Sequence, residues 1–116
     1  MMLAPAALQG SGVCNLGPAS AIPPGEGRAF EVAGRAVAVF RTRGGRLFAT
    51  QASCPHRGGQ LADGLVGGGL VVCPLHGMKF DLATGRPLGN DCAALATWPV
   101  ALSPAGEMLL ALPETP

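Results

Sequence analysis

Two short stretches, CPHRGG from Cys54 and CPLHGM from Cys73, each pair a cysteine with a histidine and set a proline directly after the cysteine. Together they hold both histidines of the 116-residue chain. Thiolate and imidazole are ligands that suit zinc or iron, so Cys54, His56, Cys73 and His76 form a candidate metal quartet. The order is Cys-x-His and then, after sixteen intervening residues, Cys-x-x-His. A zinc finger usually brings its two cysteines first and its two histidines later, from a helix. Here Pro55 and Pro74 hold both loops away from helix, and Gly58, Gly59 and Gly77 let backbone approach whatever the loops carry. Metal-bound sulfur accepts backbone N–H bonds, which bare, bent loops can offer. A structural zinc-binding module remains a competing reading of the same residues.

Such loops need a scaffold, and the rest of the chain reads as short strands. Eighteen glycines and eleven prolines punctuate it, and no stretch has the period of a long amphipathic helix. RAFEV (28–32) alternates outward and inward, and AGR (33–35) turns the chain. AVAVF (36–40) is apolar on both parities, so both faces of that strand should be covered. RGG (43–45) makes the next turn and RLFATQ (46–51) a further strand. Strands at about 8–12-residue spacing with Gly-rich turns predict an all-β chain, an antiparallel β-sandwich or barrel.

From residue 53 to about residue 90 the texture changes, and this insert holds both Cys/His loops. Between them LVGGGLVV predicts a hairpin with Gly67, Gly68 and Gly69 at its tip. KFDLATGRPL predicts strand, turn, strand. WPVAL (98–102) and EMLLAL (107–112) return to the main sheet around a turn at 104–106. The expected organisation is one domain over residues 1–116, with about residues 53–90 as a small inserted subdomain that carries both Cys/His loops and the remainder as a base β-domain. The first ten residues and the tail PETP are expected to be mobile.

Composition narrows the function classes. A net charge of +1 with 13% charged residues is too balanced and sparse for a nucleic-acid footprint. No run approaches the roughly 20 apolar residues of a membrane span. The start, MMLAPAALQGSG, has no basic n-region and no twin-arginine signal. The expected location is the cytoplasm, where thiols stay reduced and cysteines alternating with histidines point to a metal. Five arginines between Arg28 and Arg46 face only Glu26 and Glu31. They read as solvent-held strand ends and turns, or more sharply as a docking face for an acidic partner.

The segment CPHRGG…CPLHGMKFD resembles the Rieske [2Fe–2S] proteins, whose motif is Cys-x-His followed by Cys-x-x-His. The likeness extends more loosely from IPPGEGRAFEV to the last strand. It implies a three-layered antiparallel fold with one Rieske-type [2Fe–2S] cluster per chain at the tip of a small subdomain. Carried over by position, Cys54 and Cys73 bind the inner iron, and His56 and His76 the outer, solvent-facing iron. Two neutral imidazoles in place of two thiolates make an added electron easier to hold, so Rieske potentials run from about −150 to +300 mV against about −400 mV for plant-type ferredoxins. The resemblance also implies that the potential falls at alkaline pH as the metal-bound imidazoles ionise.

High-potential members carry a second cysteine in each loop, joined as a disulfide, and serine and tyrosine hydroxyls on the cluster. The matching positions here hold Gly59, Leu75, Met78 and Phe80, and the chain has no tyrosine. Fewer hydrogen bonds stabilise the reduced cluster, which places the expected potential at the low end, as in soluble Rieske ferredoxins.

The resemblance implies a one-electron carrier between a reductase and a terminal oxidoreductase, with no catalytic site of its own. Two partner sets compete: a flavin reductase with a terminal oxygenase, or the large subunit of an NAD(P)H-dependent nitrite reductase. AVFRTRGGRLFA and GNDCAALATWPV look like the nitrite reductase small subunits. Cys14 and Cys92 read as small hydrophobes, Asp63 and Asp81 as turn residues, and Trp98 as sheet packing. Arg57, Leu75 and Met78 adjoin the ligands, as a shield for the cluster or as a rim for a partner.

Overall fold

The computed structural model describes residues 13–55, 58–75 and 77–112. Expectations placed on His56, Arg57, His76, the first ten residues and the tail PETP lie outside the described residues. Eleven strands are present among those described: β1 (Val13–Pro18), β2 (Glu26–Val32), β3 (Arg35–Arg41), β4 (Leu47–Gln51), β5 (Leu65–Gly67), β6 (Leu70–Val72), β7 (Lys79–Asp81), β8 (Pro87–Leu88), β9 (Thr97–Trp98), β10 (Val100–Leu102) and β11 (Glu107–Ala111). They form three antiparallel sheets, ordered β1-β11-β10, β2-β3-β4-β9 and β5-β6-β7-β8. No helix among the described residues is long and apolar enough to cross a membrane.

Strand β3 shows why the layers stack as they do. Its residues alternate between two separate cores, as period-two side chains must. Val37 and Val39 join Ile22, Met108 and Leu110 on one side of the central sheet. Ala38 and Phe40 join Leu61, Val71, Phe80 and both loop cysteines on the other. The apolar run on both parities is therefore a strand with a sheet on each face. The all-β, three-layered architecture expected from the sequence is the one observed.

Two turns and one close approach set the register. Val32 pairs with Arg35 across a two-residue turn. Ala33 and Gly34 both have positive φ, 54° and 78°, which a twist-matched hairpin turn requires. Gly27 pairs with Phe40, and a Cβ on it would lie 2.6 Å from the Phe40 ring. The bare glycine gives the ring its place over β2. The 3-10 turn Leu61–Asp63 then packs down beside it, with Ala62 Cα 3.3 Å from the same Cβ position.

The structure departs from the sequence expectation in two places. Strand β1 has no strand signal in the sequence: Asn15, Gly17 and Pro18 are poor strand formers. It survives as an edge strand that pairs only with β11, with a register break between Asn15 and Pro18. The side chain of Asn15 braces that break, donating from Nδ2 to Glu107 Oε1 at 2.8 Å and accepting the Gly17 N–H on Oδ1 at 2.8 Å. WPVAL is not one strand of the main sheet, and EMLLAL does not return to it either: β11 pairs with β1 and β10 in the outer sheet. Trp98 pairs with Ala49 in the central sheet, whereas Val100 pairs with Leu110 in the outer one. Pro99, which has no N–H to give a ladder, sits at the crossing.

Four of the five clustered arginines are engaged locally. Arg28 and Arg41 donate to the carbonyls of Ala21 and Ile22. Arg35 and Arg46 stack over Trp98 and Phe48, at 5.7 and 4.9 Å from the ring centroids. Trp98 itself is half-buried against the core that Val37 and Val39 enter.

Candidate functional site

The two cysteine loops are built alike. In the first, Gly58 N–H donates to the Cys54 carbonyl at 2.8 Å, and Cys54 N–H donates to the Gly59 carbonyl at 2.8 Å. In the second, Gly77 N–H donates to the Cys73 carbonyl at 3.0 Å, and Cys73 N–H donates to the Met78 carbonyl at 2.8 Å. Gly58 and Gly77 turn each loop back with nearly equal positive φ, 73° and 71°. Side chains rarely adopt that conformation. Each cysteine thus has both backbone groups satisfied inside its own loop.

The strands fix where these loops stand. An isolated bridge between Ser53 and Gln60 closes the base of the first loop. The second is the connection between β6 and β7, which pair directly. Both cysteines lie in the core between the central and third sheets, each 2% exposed, and neither is in a disulfide. A Cβ on Gly59 would lie 2.9 Å from Cys73 Sγ and 3.1 Å from Leu75 Cγ. The first loop therefore leans on the sulfur of the second, and only a glycine permits it.

This is a cradle suited to sulfur-ligated metal: two buried thiols, flanking loops of bare backbone, and a contact that a single methyl group would fill. Among the described residues no third histidine, cysteine or carboxylate joins Cys54 and Cys73 in a metal-sized group. The positions of Gly59 and Leu75 adjoin in space, as their loop positions imply. Leu75 is 55% exposed, whereas Met78 is half-buried against the core that holds both loop cysteines.

The other cysteines do not enter the site. Cys14 packs on the core that Val37 and Val39 enter and Cys92 on the core that Ala38 and Phe40 enter, across the central sheet from each other. Asp81 is a turn residue, its Oδ1 accepting the Ala83 and Thr84 amides at 2.8 and 3.1 Å. Asp63 ends a 3-10 turn.

Sequence reasoning misses two supporting residues. Gln51 ties together the two chain segments that flank the cysteine loops. Its Nε2 donates to the Ser53 carbonyl and its Oε1 accepts the Ala96 N–H, both at 2.8 Å. Asn90 ties the far edge, donating from Nδ2 to the carbonyls of Lys79 and Leu88 and accepting the Cys92 N–H on Oδ1. The Gly-Asn pair at 89–90 is a turn signal that points to Asn90; Gln51 has none.

Comparison with known proteins agrees with this geometry. The Rieske [2Fe-2S] domain profile matches residues 12–99. The ferredoxin component of the naphthalene 1,2-dioxygenase/salicylate 5-hydroxylase systems of Ralstonia sp. is 33% identical over 76% of this chain and 85% of its own. Among solved structures, a protein described as an NADH-dependent nitrite reductase small subunit from Mycobacterium tuberculosis superposes with a TM-score of 0.81 at 25% identity, over 89% of this chain and 96% of that one. The complex of reduced oxygenase and oxidised ferredoxin in carbazole 1,9a-dioxygenase contains a chain with a TM-score of 0.77 at 29% identity, over 88% of this chain and 94% of that one. With its two buried cysteine loops closed by matching hydrogen bonds, the chain belongs to the Rieske [2Fe–2S] domain family, whose cofactor is a Rieske-type [2Fe–2S] cluster.

Proposed function

We propose that this protein is a one-electron carrier, the ferredoxin component of an oxygenase system, taking electrons from a flavin reductase and passing them to a terminal oxygenase. The observation that carries the reading is the pair of matching loops that bury Cys54 and Cys73 in one core. Cys54 and Cys73 would hold the cluster through thiolate sulfur, and His56 and His76 complete the ligand set. The bound cluster supplies a site that accepts and releases one electron without bond chemistry on a substrate. The chain's own part is to hold the thiols, exclude water from them and keep the loops rigid. In this reading residues 1–116 form one Rieske domain, residues 53–90 are the cluster-binding subdomain, and the protein works in the cytoplasm.

The ferredoxin relatives support this assignment. The likeness to the nitrite reductase small subunit supports a second one, in which the acceptor is the large subunit of an NAD(P)H-dependent nitrite reductase. Stopped-flow mixing of the reduced, cluster-loaded protein with each acceptor separates them. Saturable reoxidation by the terminal oxygenase supports the first reading. Reoxidation by the nitrite reductase large subunit alone replaces it with the second.

A further inference from the structure

The cluster-binding sheet has an outer face whose composition points to a partner. The register aligns Leu65, Val72, Lys79 and Leu88 in one row across β5, β6, β7 and β8. The neighbouring row, Val66, Val71, Phe80 and Pro87, faces inward, with Val71 and Phe80 fully buried. The first row therefore faces out. Leu65 is 76% exposed and Leu88 42% exposed. With Leu75 they are three of the four large hydrophobic side chains exposed among the described residues. Exposed apolar side chains concentrated on one unit mark an interaction surface more than chance scatter does.

The charge on this row is single and positive. Lys79 is the only lysine of the chain, stands exposed between Val72 and Leu88, and makes no ion pair among the described residues. The nearest acid along the strand, Asp81, is committed to the Ala83 and Thr84 amides. The row also abuts the second cysteine loop: Val72 precedes Cys73, and Lys79 follows Met78, whose carbonyl closes that loop.

We propose that the Leu65–Val72–Lys79–Leu88 row is a docking stripe for the electron-accepting protein, and that its complement is a carboxylate set in an apolar rim. Opposite charge at the centre of such a stripe fixes register and speeds encounter, while the apolar flanks exclude water. The inference rests on the electron-carrier reading above. The test uses the full cluster-loaded chain with the terminal oxygenase of carbazole 1,9a-dioxygenase and with a nitrite reductase large subunit as acceptors. Lys79→Glu is expected to raise the half-saturating concentration roughly tenfold for the acceptor that wild type reduces, and Lys79→Arg to leave it near wild type. Leu88→Ser is expected to raise it as well. Maximal rate, the reduced EPR spectrum and midpoint potential stay as in wild type. A half-saturating concentration unmoved by Lys79→Glu overturns the stripe while leaving the carrier function intact. Saturable transfer to neither acceptor by wild type removes the carrier reading and the stripe with it. Sedimentation showing a dimer that Leu88→Ser dissolves assigns the face to a second copy of this chain and overturns the heterologous partner.

Discussion

Gly59 and Cys73 belong to different loops, yet a methyl group on Gly59 would stand 2.9 Å from the Cys73 sulfur. That contact joins the two halves of the site. Gly59→Ala is expected to lower iron content per chain by roughly tenfold under limiting iron, the scale seen when groups supporting metal ligands are lost. Far-UV circular dichroism should keep its β signature. Full iron loading of Gly59→Ala would show that the loops have room to spare.

Gly27 and Phe40 make a second close pair, with 2.6 Å between a Cβ at Gly27 and the ring. Gly27→Ala and Phe40→Leu should each destabilise the fold. Combined, they should cost less than their sum, because the smaller side chain vacates the space that the methyl needs. A coupling of about 1 kcal/mol or more in a denaturant double-mutant cycle is expected, and strict additivity would contradict it.

Ala33 holds a left-handed conformation, φ 54°, in the β2–β3 turn. Asn tolerates that region better than Ala. Ala33→Asn should raise stability by about 0.5–1 kcal/mol, seen as a higher midpoint in urea with an unchanged slope. A lower midpoint would contradict the turn geometry.

Gln51 bonds to Ser53, where the first cysteine loop begins, and to Ala96, just before β9. Gln51→Ala should cost about 1–2 kcal/mol and speed hydrogen exchange at the Ala96 amide, which loses its acceptor. Unchanged exchange there would show that the two segments are held by other bonds.

Much of this was legible in the sequence, and the physical reasons are specific. AVAVF is apolar on both parities, which only a strand covered on both faces supports, and β3 is that strand. The paired Cys/His motifs marked the loops because two near-copies of one bent turn have few other uses. What was hidden depended on distant partners. β1 has weak strand residues and exists because β11 offers it an edge. The chain changes sheets at Pro99 because of which neighbour lies on each side, a fact that local sequence does not hold. The clasp made by Gln51 joins residues 45 apart in sequence, and no local pattern announces it.

Phe80 is fully buried and brings no hydroxyl, and Met78 offers only a thioether. A bound cluster would therefore gain less hydrogen-bond support here than serine and tyrosine would give. The midpoint potential is expected in the lower part of the Rieske range, which spans about −150 to +300 mV. Spectroelectrochemical titration giving a clearly positive midpoint would contradict this.

The electron-carrier reading rests on the proposal that Cys54, His56, Cys73 and His76 hold one [2Fe–2S] cluster. Metal and sulfide analysis of the purified protein, joined to EPR after dithionite reduction, tests it most directly. The expected result is a red-brown protein with about two irons and two acid-labile sulfides per chain and a Rieske-type signal, lost in His76→Ala. A colourless protein carrying zinc and no reducible signal would contradict it.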